Sequence, residues 1–304
     1  MRLSTAQLNT VMLTSMQSST TKVNKSYMQM SSGEKMLKPS DDPLGSVQLM
    51  MLDREQANIS QFQKNITNLE AQLGKTESHL DGSNNAVLRA QELVASVSNA
   101  SNSTMEGREA IATELESLLD QLADIANSKN PNGDYIFAGT MTDTQPIAKD
   151  PATGKYVYGG NGDQRMVKVA ESMSIPANQT AEDIFFNGGS DIFNALDKAI
   201  TDLRNPAIEG ASLTASVTAA QSDLDGTLNS INRALTEVGG QRNALSMVQG
   251  SHEDNKLVNS KLIGDVKDLD YSEAILEMNS QMAALQATQM TYSKIQNLSL
   301  FKLM

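Results

Sequence analysis

The 304-residue sequence contains no cysteine and no tryptophan. Without cysteine there are no disulfides, thiol redox centres or thiolate metal sites, a result neutral about compartment. Aromatic residues make up 4% of the chain and histidines number two. That is thin for the pocket of a compact enzyme and ordinary for helices packed along narrow seams. Basic residues are also short, 24 against 36 acidic, and the net charge of −12 argues against a nucleic-acid backbone as partner. No run approaches eighteen apolar residues, so no membrane span is expected. The N-terminal "MRLSTAQLNTVMLTSMQSS" has no apolar run longer than Val11–Leu13, so a Sec-type signal peptide is not expected either.

Proline is missing from 44–130 and from 207–304. It costs about 3 kcal/mol inside a helix, so these gaps are where long helices are permitted. In the first, Leu52, Ile59, Ile66, Leu73, Leu80, Val87 and Val94 recur every seventh residue, with Phe62, Leu69, Thr76, Ser83, Ala90 and Val97 three residues after members of that series. This a/d repeat predicts a heptad-packed helix over 46–100, roughly 80 Å long. In the second gap, Val217, Leu224, Ile231, Val238 and Leu245 keep the same period, supported by Leu228 and Leu235, and predict a matching helix over 211–264. A helix over 104–128, with capping-box spacing at Ser103 and Glu106, is expected alongside. Gly239-Gly240 reads as close packing or a mild bend in the second long helix.

Residues 131–193 differ, holding seven of the twelve Phe and Tyr and four of the seven prolines. "YIFAG", "KYVYGG", "RMVKVAE" and "SMSIP" read as short strands, with "GGNGDQ" a hairpin turn between two of them. A short helix follows over 191–204. The expected fold is mainly α (α+β overall): a long antiparallel helical rod (43–134 with 191–264), terminal coiled-coil helices (1–42 with 265–304) and a small inserted, outward-facing β domain (135–190).

Both chain ends are amphipathic. Met12, Met16, Val23 and Met30 step with Ser19 and Ser26 in a 4-3 pattern. Tyr271, Ile275, Met278, Met282, Leu285, Tyr292 and Ile295 make a comparable stripe after a cap at Asp270. Neither helix can bury its stripe alone. Residues 1–40 carry five basic groups and one acid, and residues 265–304 three basic and five acidic, so opposite signs favour pairing of the ends. Twelve of the seventeen methionines lie in 1–51 and 278–304, where an adaptable side chain suits packing against neighbouring molecules as well as a core. Between the terminal helix and the first long helix lies "SSGEKMLKPSDDPLG". Gly33, Pro39, Asp41, Asp42 and Pro43 mark it as a joint, with Ser40 or Asp41 expected to cap the helix beginning near Pro43.

Chemistry is largely missing. His79 and His252 read as ordinary helical histidines, the Asp41-Asp42 pair as turn and cap chemistry, and Asn132-Gly133, Asn161-Gly162 and Asn187-Gly188 as turns. There is no phosphate loop, zinc motif or nucleophile elbow. No catalysis, cofactor or metal is expected.

The stretch "SYMQMSSGEKMLKPSDDPLGSVQLMMLDREQANISQFQKNITN" resembles the N-terminal region of the bacterial flagellin and hook-associated protein family. "NPNGDYIFAGT" is similar to that family's turn after the second helix, and "DYSEAILEMNSQMAALQATQMTYSKIQNLSLFKLM" to its C-terminal helix. The "MRLST" start, the "KPSDDP" break and the small insert favour the hook-associated junction branch over flagellin. The resemblance implies a self-assembling structural subunit between hook and filament. Its partners would be copies of itself in a ring, a hook-side junction protein and filament flagellin. An export chaperone would contact Met278, Met282, Leu285, Tyr292 and Ile295. It further implies an extracellular location, reached through the flagellar type III pathway without a cleaved signal peptide. Alternatives are flagellin itself and a cytosolic helical-hairpin signalling or adaptor protein.

Overall fold

A computed structural model of the chain describes residues 5–97, 104–186 and 190–300. The helices are α1 (Thr5–Ser32), α2 (Pro43–Ser96), α3 (Met105–Ala126), α4 (Ala181–Phe185), α5 (Ile192–Arg204), α6 (Gly210–Lys267) and α7 (Tyr271–Leu300). The strands are β1 (Ile147–Lys149), β2 (Tyr156–Tyr158), β3 (Met166–Ala170) and β4 (Met173–Pro176). At 72% helix the fold is mainly α with a small β part, as the heptads and proline gaps predict. The chain divides into two compact units: Ser60–His252, and the residues up to Ile59 together with those from Glu253 onward.

In the Ser60–His252 unit α2 and α6 run antiparallel. Gln91 donates to Asp225 at 2.6 Å, and Glu77 pairs with Arg242, so one partner's number rises as the other's falls. The heptad positions point into the shared seam. Ile66, Leu73, Leu80, Val87 and Val94 of α2 are buried, as are Leu224, Ile231, Val238 and Leu245 of α6, while Val217 is half-buried. The intervening positions Leu69, Thr76, Ser83, Ala90 and Val97 are buried and mostly small. α3 packs closely here: a Cβ at Gly82 would lie 3.4 Å from the Ile125 side chain.

α3 buries Ile111, Leu115, Leu119 and Leu122 and is capped by Thr104, whose hydroxyl accepts from Gly107 N at 3.2 Å; Ser103 lies outside the described residues. Arg108 enters the α3–α5 interface at 2% exposure and donates to the carbonyls of Asp202 (2.8 Å) and Asn205 (3.1 Å). A cation at the C-terminal end of α5 satisfies carbonyls that lack intrahelical partners. The only sequence sign of this was an arginine on the same stripe as Ile111 and Leu115.

Strands β1, β3 and β4 share this unit's core through Ile147, Val169 and Ile175, beside Phe137, Phe185 of α4 and Phe193 of α5. Their pairing departs from expectation. β1 pairs with β2, and β3 with β4 across an irregularity between Lys168 and Ala170. "GGNGDQ" therefore joins two separate hairpins rather than turning within one. "YIFAG" forms no strand: Tyr135 makes a single bridge to Lys129, and Ile136, Phe137 and Ala138 are buried. The reason is side-chain bonding. The Tyr158 hydroxyl donates to the carbonyls of Phe137 (3.2 Å) and Asn161 (2.9 Å), and the Asn161 carboxamide bonds Thr140 through its backbone N–H and its hydroxyl, tying both segments to each other outside any sheet. Strand β1 and helix α4 were too short to leave a periodic signal. Asn187-Gly188 lies outside the described residues.

Both histidines are structural. His252 is buried, its Nε2 lies 2.8 Å from the Val169 carbonyl, and its ring stacks on Phe62 at 5.7 Å. His79 meets Phe137 edge-on at 6.2 Å. Burial pushes the His79 imidazole below its ordinary pKa, and the Lys75 charge adds to this. The unfolded chain then binds the proton more readily than the folded one. The contribution is complete above about pH 6.5 and is lost as the pH falls through the lower folded value. The denaturant midpoint is accordingly expected to drop between pH 7.5 and 5.5, and to drop less in His79→Gln.

Gly239 and Gly240 sit within α6, both exposed, and a Cβ at either would meet nothing within 4 Å. Close packing is thus not their role. Each costs about 1 kcal/mol of helix propensity relative to alanine. The double Ala variant is expected to raise the unfolding midpoint by up to roughly 2 kcal/mol of stability, measured by chemical denaturation.

Candidate assembly surface

The second unit contains α1, α2 as far as Ile59, α6 from Glu253 onward, and α7. Two connections define it. After Ser32 the chain turns at Gly33, whose φ of +73° is one that only glycine adopts cheaply, and Gly33 N bonds back to Gln29 O at 2.8 Å. Leu269 N then donates to Gly33 O (2.9 Å) and Lys35 N to Lys267 O (2.8 Å), joining the two linkers as a short antiparallel bridge. Glu34 and Lys267 close it with a 3.0 Å ion pair, which raises the lysine's pKa.

The acidic pair divides its labour differently from the expectation. Asp42, not Ser40 or Asp41, caps α2: its Oδ1 accepts from Gly45 N at 3.0 Å, with Pro43 at the first helical position. Asp41 instead accepts from Lys25 Nζ (2.9 Å) and from the backbone N–H groups of Leu37 and Lys38. The Lys25 hydrogen bond holds its carboxyl below the usual range. Pro39 lies exposed in the same turn. Gly45 is buried, and a Cβ there would fall 2.6 Å from the Asp42 carboxylate and 3.0 Å from Met36 Sδ. The sequence reading missed Lys25, Gly45 and Lys267 because each acts through a contact, not a local pattern.

α1 and α7 pack against each other. The Tyr271 hydroxyl donates to Met30 O at 3.1 Å, joining the start of α7 to the end of α1 and making the pair antiparallel. In α1 the seam follows the expected stripe: Met12, Met16, Val23 and Met30 are half-buried and Ser26 is buried. In α7 it passes through Ala274, Met278, Gln281, Leu285, Thr288, Tyr292 and Ile295. Ile275 and Met282, read as stripe residues, stand one position to its side, 43% and 40% exposed. The periodicity was right in step but assigned those two by hydrophobicity, where the seam takes the smaller or polar neighbour. The ends pair as their opposite charges suggest, yet the ion pair at the joint runs the other way, with Glu34 from the basic end and Lys267 from the acidic one.

What distinguishes this unit is how little it hides. Of the buried apolar residues among those described, only Leu52, Ile59 and Ala274 belong to it. Among the described residues, sixteen of the twenty-two exposed large apolar side chains do, including Leu44 (80%), Met50 (72%) and Leu257 (72%).

Residues 3–142 match the family described as the bacterial flagellin N-terminal helical region. Flagellar hook-associated protein 3 of Escherichia coli strain K12 is 33% identical over 290 residues, covering 90% of each chain. The chain belongs to the flagellar hook-associated protein 3 family. The Salmonella typhimurium protein of the same name is 32% identical across 100% of this chain and 99% of its own. The solved structure of a flagellar hook-associated protein from Vibrio parahaemolyticus is 35% identical, with a TM-score of 0.69, and covers 75% of this chain and all of that one. This family member is therefore a structural flagellar subunit of the hook-associated class rather than a filament flagellin. No helix among its described residues is long and apolar enough to cross a membrane.

Proposed function

We propose that this chain forms the junction between flagellar hook and filament by self-assembly of its terminal helices, without catalysis. The observation that carries this is the second unit, with three buried apolar residues against sixteen exposed large ones among its described residues. Burial is worth about 25 cal/mol per Å2 of apolar surface, and neighbouring molecules are the remaining place to obtain it. On this reading the seam of Met12, Met16, Val23, Met30, Met278, Leu285, Tyr292 and Ile295 holds the terminal coiled coil (1–42 with 265–304) together, and Ile275 and Met282 beside it meet adjacent copies in a ring. Residues 135–190 face outward. The hook-side junction protein and filament flagellin sit on either side of the ring.

Before assembly the same apolar surface of α7 needs cover, and an export chaperone holding Met278, Met282, Leu285, Tyr292 and Ile295 supplies it. The subunit then leaves by the flagellar type III route to an extracellular position. Limited proteolysis of the dilute monomer tests the proposal. Cleavage is expected first within residues 1–40 and 265–304, with Ser60–His252 surviving. Equal resistance along the whole monomer would overturn it.

A further inference from the structure

Within the Ser60–His252 unit lies a cleft of about 310 Å3, lined by Asn68, Gln72 and Lys75 of α2, the turn at Asn130–Asn132, and Arg165 just ahead of β3. Apolar Ala71, Pro131 and Ile136 complete the wall. Although the chain has a net charge of −12, this lining holds two cations, four carboxamides and no carboxylate. Neither Lys75 nor Arg165 has an ion-pair partner among the described residues. Arg165 Nε is shielded from solvent and meets no acceptor there, while the residue's own backbone N–H is fixed by Asn178 Oδ1 at 2.7 Å. Opposite it, the Gln72 carboxamide is anchored to Ala177 O at 2.7 Å. A buried guanidinium nitrogen without an acceptor is costly, and a planar oxyanion bound bidentately is the group that satisfies it.

We propose that this cleft binds a carboxylate, held by Arg165 and Lys75, with the carboxamides of Asn68 and Asn132 available to its polar substituents, while that of Asn130 holds the turn through Asp134 and the backbone N–H groups of Asn132 and Asp134. The carboxylate belongs either to a small hydroxy-acid, such as a uronic sugar, or to an Asp or Glu side chain of a second copy of this chain. The proposal does not rest on the junction reading, since the cleft lies wholly in the unit that buries its own core.

The test has two arms on the full chain. Calorimetric titration with glucuronate, with glucose as the uncharged control, is expected to show one saturable site for glucuronate alone. Arg165→Gln and Lys75→Gln should each weaken it by roughly tenfold or more, as loss of a charge-assisted hydrogen bond predicts, while leaving the unfolding midpoint in place. Carbodiimide, which joins a lysine to a carboxylate in contact with it, reads the second source. An intermolecular link at Lys75, competed by glucuronate and lost in Arg165→Gln, identifies the second copy. Saturable binding without that link identifies the free ligand. Absence of both, or glucuronate binding unchanged in the two variants, would overturn the proposal.

Discussion

Leu80→Ala is expected to lower the stability of the Ser60–His252 unit by about 3 kcal/mol, because a fully buried leucine leaves both lost transfer energy and a cavity. Leu80 is 0% exposed at the α2 seam, in the core shared by α2, α3 and α6. For a unit of this size the melting temperature should fall by roughly 6–12 °C. Leu88, eight residues along the same helix, is 40% exposed, so Leu88→Ala is expected to change the midpoint by no more than about 0.5 kcal/mol. Calorimetry on the two variants checks the pair. Equal effects would mean that the heptad stripe does not set the core.

The double substitution Met16→Asp with Leu285→Asp is expected to abolish assembly while leaving the Leu80 core untouched. The Tyr271–Met30 hydrogen bond sets an antiparallel register in which Met16 falls opposite Leu285, and both are half-buried in the seam. Two like charges would meet where an apolar contact belongs. With burial of each charge opposed by at least about 2 kcal/mol, association should weaken more than a hundredfold. Cells with this variant as their sole copy should carry hooks without attached filaments, counted by electron microscopy. The purified monomer should keep the thermal transition of its Ser60–His252 unit. Normal filaments on such cells would remove the terminal seam from the junction.

The two units differ in what their residues reveal alone. In α2 and α6, a seven-residue period over uninterrupted stretches without proline left one geometry: Leu52 through Val94 and Leu224 through Leu245 are buried where the repeat places them, and Val217, nearest the N-terminal end of α6, is the half-buried exception. The helix breaks were equally legible, since Gly33, Pro39 and Pro43 act locally. The strands were not. β1 has three residues, and pairing depended on the reach of the Tyr158 hydroxyl and the Asn161 carboxamide. Nor was the choice between Asp41 and Asp42 readable, because Lys25, sixteen residues away, takes one carboxylate and leaves the other to cap α2.

The sequence by itself determined the long helices, the breaks between them, the family and, in α1, α2 and α6, the direction in which the apolar stripes face. Periodicity and backbone constraint are properties of neighbours along the chain. Tertiary structure alone decided which stripe is covered: α2, α3, α5 and α6 close over one another, whereas α1 and α7 meet along a seam that leaves Ile275, Met282 and the Leu44–Met51 face open. Coverage is a property of three-dimensional neighbours, and two helices have too few sides to enclose an apolar surface that a third or fourth would seal.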